Sequence, residues 1–262
     1  MKNPLISIVT PTFNRPQFLN LVLECVLSQS YQNIEWIILD DSPSPNLNFK
    51  NKLGGNMKYI YSEKKLTVGE KRNQLIQASS GDFVIHFDDD DFYNKDYIQT
   101  LVDEAESRNA DFIIMSGFYC LHLDKKILGY YKTHVKKGVA YKFFKEGIQP
   151  LLLDKQNIPW IHLCFGWAYF FKKEVWKKSP FQSVNVFEDR AFVMDAIKNQ
   201  FKVSFFEDES GIAFHSVHKQ SSSVCFPQFI LPPHLSKKVF LDRDALVQQF
   251  IEASLPLKDD SL

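Results

Sequence analysis

Two rhythms of apolar and polar positions alternate over about the first hundred residues. Short runs of aliphatic residues end in polar turns, and the stretches between them repeat their apolar residues every three or four positions. Leu5 to Thr10 reads as a buried strand, and Pro16 then opens a helix with Phe18, Leu19, Val22, Leu23, Val26 and Leu27 on one face. Glu35 to Leu39 is a second strand, ending in Asp40-Asp41 and the turn-rich Ser42-Pro43-Ser44-Pro45-Asn46. Met57 to Ser62 is a weaker third strand. Gly69 to Ser79 is predicted helical, with Leu75, Ile76 and Ala78 turned inward and Ser80-Gly81 closing it. Phe83 to Phe87 follows as a central strand, Lys95 to Ser107 as a helix and Asp111 to Gly117 as a strand. This succession is that of βαβ units, so an α/β fold with a mainly parallel sheet is expected.

The rhythm then changes. Tyr119 to Lys132 suggests a hairpin about Asp124-Lys125-Lys126, and Val135 to Trp160 reads as helix and loop. Ala168 to Phe171 is strand-like, Asp189 to Asn199 helical and Lys202 to Phe206 a short strand. Past Pro227 comes Pro232-Pro233, then a helix from Arg243 to Ala253. No repeat or low-complexity segment interrupts the chain, which is read as one domain: a nucleotide-binding half (1–118), an acceptor half (119–226) and a C-terminal extension (227–262).

Composition narrows the class. With 262 residues, 45% of them hydrophobic and 24 of them Phe, the chain has enough apolar material for a sizeable core. Lys plus Arg and Asp plus Glu balance at 31 each, so no broad field favours nucleic acid or an anionic membrane, and an anionic ligand must be held locally. Cys25, Cys120, Cys164 and Cys225 lack the close spacing of a zinc or redox motif and read as reduced, mostly buried thiols. No apolar run reaches the roughly 18 residues of a membrane span, and Met1-Lys2-Asn3-Pro4 leads straight into a strand, so a soluble, cytoplasmic protein is expected.

Open α/β sheets bind ligands outside the carboxyl ends of their strands. Three such ends carry suggestive residues: Thr10-Pro11-Thr12-Phe13-Asn14-Arg15, Asp40-Asp41, and Asp88-Asp89-Asp90-Asp91. Four adjacent carboxylates repel by about a kcal/mol or more per neighbour unless a cation or deep solvation compensates. Mg2+ or Mn2+ suits the task, because either uses one or two carboxylates and leaves positions for water and phosphate. In an extended stretch Asp88 and Asp90 face one side, Asp89 and Asp91 the other. Asp91 alternatively caps the following helix.

Four segments in order, Ile6 to Arg15, Ile37 to Ser42, Gly69-Glu70-Lys71-Arg72-Asn73 and Gly81 to Asp91, resemble the family 2 glycosyltransferases of the GT-A fold, with Glu188-Asp189 extending the match. The resemblance implies that residues 1–226 form a GT-A domain. It implies Asp88 and Asp90 as ligands of a metal bridging the donor diphosphate, with Asp89 near the ribose. Asp41 would hydrogen-bond the nucleotide base, Thr10, Pro11 and Phe13 would wall it, and Arg72, otherwise a surface helix arginine, would lie near the phosphates. Asp189 matches the general base of inverting transfer, beside Glu188 on the acceptor side. In Phe214 to Ser223, which is similar to a late histidine loop of some members, His218 would be a metal or phosphate ligand, with a packing histidine as the other reading. His215 is equally well a packing histidine. Gly166-Trp167 resembles an acceptor platform on which a sugar ring stacks; a core tryptophan is the other reading.

One departure stands out: Asp40-Asp41-Ser42-Pro43 lacks the glycine usual after the second acid, so the base pocket has its own shape. The expected activity is transfer of a sugar from a nucleoside-diphosphate sugar, a UDP-sugar favoured, to a hydroxyl of a glycan or glycoconjugate, dependent on Mn2+ or Mg2+ and inverting. The competing readings are a nucleotidyltransferase, disfavoured because residues 10–15 contain no glycine, and a non-catalytic nucleotide-binding domain.

Overall fold

The computed structural model describes residues 3–135, 137–154, 165–232, 238–240 and 244–254. Its centre is a parallel block, β1 (Ile6–Thr12), β2 (Ile34–Asp40), β3 (Met57–Tyr61) and β4 (Phe83–His86), in the order β4-β1-β2-β3. The helices that return the chain are α1 (Pro16–Leu27), the single-turn α2 (Leu47–Lys50) and α3 (Val68–Gln77). Alternation along the strands sends neighbours to opposite faces. Ile8, Ile38 and Ile85 pack on the α1 side, while Val9, Ile37 and Val84 meet Leu75 and Ile76 of α3.

The second half extends this block. After β5 (Phe92–Tyr93) and α4 (Tyr97–Arg108), the long β6 (Phe112–His122) forms with β7 (Ile127–Lys132) the hairpin predicted about residues 124–126. Residues 138–153 correct the expected helix and loop: they are a two-stranded hairpin, β8 (Gly138–Phe144) and β9 (Gly147–Leu153). Ala140 and Phe143, three apart, point inward and mimic a helical spacing, while Phe143 bridges to Cys225. A 3-10 turn, Gly166–Ala168, leads into β10 (Phe170–Lys172), which inserts antiparallel between β4 and β6. Then come α5 (Lys173–Lys178), α6 (Glu188–Lys198), β11 (Val203–Glu207), β12 (Ala213–Val217), β13 (Phe229–Leu231) and α7 (Asp244–Ala253). β11 and β12 run parallel to β6, and β13 pairs with β7, giving one mixed, mainly parallel sheet flanked by helices.

The segment read as a C-terminal extension joins the main core, where Val247, Phe250 and Ile251 of α7 are buried with Phe18 of α1. No helix among the described residues is long and apolar enough to cross a membrane.

Candidate active site

Loops from β1, β2, β4 and β12, together with the first turns of α3 and α6, converge at the carboxyl end of the parallel block. Asn14, at φ 55°, turns the chain after β1, and its N–H donates to Ser42 Oγ at 2.7 Å. Asparagine tolerates this left-handed backbone better than most residues. The turn carries Arg15 over the acidic run.

Asp88 to Asp91 are not extended. They form a turn, with Asp91 N–H 3.5 Å from Asp88 O, so the expected alternation of their carboxylates does not hold. Asp89 accepts from Thr12 Oγ1 at 2.6 Å and from Arg15 at 2.8 Å, and Asp90 accepts from the same Arg15 nitrogen at 2.7 Å. His218 Nε2 lies 2.9 Å from Asp90 Oδ2, which brings together two of the predicted metal ligands. Asp91 is fully buried, 2.9 Å from His215 Nδ1 and accepting from Ser216 N–H at 2.7 Å. It is neither solvated nor a helix cap, because β5 intervenes and the residue before α4 is Asp96.

Burial pushes the carboxyls of Asp88, Asp89 and Asp91 up, Asp88 to about 7, while Asp90 is held low by Arg15 and His218 against its own burial. Burial alone lowers His215, but Asp91 outweighs it and raises the imidazole to about 10. His215 is therefore a charged partner of Asp91, as well as a ring packed on Trp167 at 5.5 Å.

Asp88 is different from its neighbours. Its Oδ1 is sealed from solvent without a hydrogen-bond partner among the described residues. Buried carboxylate oxygens are normally satisfied, so this oxygen is free to accept from a donor or to meet a cation. Oxygen ligands with one imidazole suit Mn2+ or Mg2+. Among the described residues, however, no three His, Cys, Asp or Glu side chains are gathered as a ready ligand set.

Asp41 is sealed beneath the surface. Its carboxylate accepts from Leu66 N–H at 2.9 Å, Lys71 Nζ at 2.9 Å and Lys65 Nζ at 3.3 Å, and these partners hold its pKa low despite burial. Lys71, to which the sequence reading gave no role, also donates to Thr12 O at 3.2 Å. Lys65 sits over the ring of Phe13, which is 39% exposed. Beside this cluster lies a cavity of about 320 Å³ lined by Thr12, Asn14, Arg15, Asp40, Ser42 and Pro45, among others. In place of the usual glycine turn, Asp40 accepts from Ser42 N–H at 2.8 Å and from the hydroxyls of Ser42 and Tyr59. The Thr10 side chain does not wall the cavity: it is fully buried and accepts from Trp36 Nε1 at 2.9 Å. Pro11 is half-buried.

On the other flank Arg72, far from being a surface residue, is 4% exposed and donates to Glu188 Oε1 at 2.6 Å. Asp189 accepts from Gly166 N–H at 3.2 Å and Arg190 N–H at 2.7 Å, and burial raises the pKa of both acids. Gly166 is required here, since a Cβ would fall 2.5 Å from Arg72 and 2.9 Å from Asp189 Cβ. Trp167 corrects the platform reading: it is 3% exposed and enclosed by Phe118 and His215, leaving no face for a sugar. Residues 155–164, just before this turn, lie outside the described residues.

The pattern of Glycosyl transferase family 2 matches residues 7–177. The chain belongs to this family. It is 25% identical over 236 residues to the cholesterol galactosyltransferase of Borreliella burgdorferi, covering 84% of this chain and 62% of that protein. It is 26% identical over 173 residues to the Escherichia coli UDP-Glc:alpha-D-GlcNAc-diphosphoundecaprenol beta-1,3-glucosyltransferase WfgD, covering 62% and 67%. The chain spans only 39% to 62% of the first three curated relatives it matches. In fold it is similar to S. aureus TarS 1-349 in complex with UDP-GlcNAc (TM-score 0.61, 19% identity, 96% of this chain and 68% of that one). It is also similar to the mannosyltransferase PcManGT from Pyrobaculum calidifontis in complex with GDP-Man and Mn2+ (TM-score 0.57, 12% identity, 97% and 74%). The chain thus has the GT-A fold expected from its motifs.

Proposed function

We propose that the chain is a metal-dependent, inverting glycosyltransferase that moves a sugar from a nucleoside-diphosphate sugar to an acceptor hydroxyl. The observation that carries this reading is one buried arginine within electrostatic reach of both acidic centres. Arg72 is paired with Glu188 and feels the charges of Asp88, at the end of β4, and of Asp189. A donor diphosphate at the first centre and an acceptor hydroxyl at the second place the anomeric carbon between them.

Asp88, Asp90 and His218 are the residues to hold Mn2+ or Mg2+, which when bound offsets the charge that builds on the leaving diphosphate. Arg72 adds a fixed positive charge beside it. Asp189 takes the proton of the attacking hydroxyl, and its burial makes it a stronger base than a solvated aspartate. Its hydrogen bonds to the Gly166 and Arg190 amides hold the carboxylate in place to receive that proton.

Two named relatives support a UDP-sugar: WfgD by its name and TarS by its complex with UDP-GlcNAc. The proposed acceptor is a glycan or glycoconjugate, and the proposed compartment is the cytoplasm. The test is Asp189→Asn, which keeps shape but cannot accept the proton. Transfer should fall about a hundred- to ten-thousand-fold with nucleotide affinity nearly unchanged. Near wild-type turnover, or product with the donor's anomeric configuration retained, refutes the inverting assignment.

A further inference from the structure

The acidic run already holds a cation, and that cation is a side chain. One terminal nitrogen of Arg15 donates to Asp89 Oδ1 at 2.8 Å and Asp90 Oδ2 at 2.7 Å, and the other donates to Gln220 O at 2.8 Å. Gln17 reinforces the last tie, its Nε2 lying 3.0 Å from Gln220 Oε1. Asp90 Oδ2 is the same oxygen that His218 Nε2 approaches to 2.9 Å. A divalent ion seated on Asp90 and His218 would thus meet a guanidinium on its own ligand atom. At such a separation like charges repel strongly, so the two cations exclude each other. The sealed Oδ1 of Asp88, without a hydrogen-bond partner among the described residues, is an independent sign that Arg15 does not satisfy the whole site.

Displaced, Arg15 has a place to go. It borders the 320 Å³ cavity next to Thr12 and Ser42. A guanidinium matches phosphate oxygens with two parallel hydrogen bonds, which suits a donor diphosphate arriving with the metal. Moving away from Asp90 also gives up the bond to Gln220, which leaves the Gln17 contact to hold that side chain.

We propose that Arg15 is the internal counter-cation of the acidic run, exchanged for the divalent ion and then available to the donor diphosphate, so that metal entry and departure of Arg15 from Asp89 and Asp90 are one event. The proposal rests on the metal-dependent reading above. A distinct role for Arg15 follows: it opposes metal binding and favours nucleotide binding.

Chelator-stripped wild type, Arg15→Gln, Arg15→Lys and Asp90→Asn are titrated with Mn2+ by electron paramagnetic resonance, then with uridine diphosphate at saturating Mn2+ by calorimetry. Circular dichroism checks folding. Arg15→Gln should bind Mn2+ about tenfold tighter and uridine diphosphate about tenfold more weakly, each equivalent to one charge-assisted hydrogen bond. Arg15→Lys, which keeps the charge, should hold Mn2+ near the wild-type affinity. Wild-type Mn2+ binding that Arg15→Gln leaves unchanged, or tightening in Arg15→Lys as well, overturns the exchange alone. Absence of any Asp90-dependent Mn2+ binding in all variants removes the metal reading and the exchange with it.

Discussion

At the scale of single residues, the site is governed by what each of the four aspartates finds opposite it. Asp89, Asp90 and Asp91 are matched by Arg15, His218 and His215, and Asp88 has an unmatched oxygen. With its carboxyl pushed up to about 7, folded Asp88 keeps its proton well above the value near 3.9 at which an unfolded aspartate loses it. The folded state then binds more protons between those values, so Asp88 costs stability as pH rises from about 4 to about 7, and the loss persists above. Asp88→Asn should therefore melt higher than wild type at pH 8 in chelator, by roughly 2–4 °C for each kcal/mol recovered. The same variant should lose the stabilisation that Mn2+ gives the wild type. A lower melting point than wild type in both conditions would show Asp88 to be structural. The acids themselves were visible in the sequence, but their partners were not: Arg15 and Asp89 are 74 residues apart, and the turn at 88–91 replaces the alternation of an extended strand.

At the scale of elements, α3 helps to position Glu188 and Asp189, the acids of the proposed acceptor side. Thr67 and Glu70 cap its start reciprocally, and its first amides donate outward: Val68 N–H to Asn185 Oδ1 and Gly69 N–H to Val184 O, both at 3.1 Å. These are the donors a helix start leaves unpaired, and here they fasten the segment leading to Glu188 and Asp189. The segment crosses so closely that a Cβ on Gly69 would lie 1.8 Å from Gln182 O. Gly69→Ala should push it away, costing about 1–3 kcal/mol and lowering kcat, while Mn2+ affinity stays at the wild-type level because the acidic run is untouched. Equal losses of turnover and metal affinity would argue against this division. The periodicity of the first hundred residues revealed α3 and the parallel strands because each βα unit is local. The β8–β9 hairpin escaped, since Pro150 lies within β9 and prolines are normally kept to strand edges and ends. The insertion of β10 between β4 and β6 rests on three residues paired with strands far off in sequence.

At the scale of the molecule, the last described helix packs behind α1 and, through it, behind His218. Phe250 of α7 is fully buried, its ring 6.3 Å from Phe18, 6.2 Å from Phe92 and 5.9 Å from Phe214. Phe18 in turn packs on His218 at 4.7 Å, so one aromatic stack runs from the C-terminal helix to a proposed metal ligand. A helix after Arg243 was legible from its spacing, but its partner was not, because α1 lies more than two hundred residues away and nothing local marks the contact. Phe250→Ala removes a large ring from a closed core, and such truncations cost about 3–5 kcal/mol. At roughly 2–4 °C per kcal/mol, the melting point should drop by on the order of 10 °C. Phe250→Leu, which leaves less empty space, should lose much less. The stack adds a second expectation: with Phe18 less constrained, His218 is held less firmly, and Mn2+ affinity should fall in Phe250→Ala at a temperature where that variant is still folded. A melting curve unchanged by Phe250→Ala would show that α7 is outside the cooperative core. A lowered melting point with undiminished Mn2+ affinity would confine its role to stability and detach it from the site.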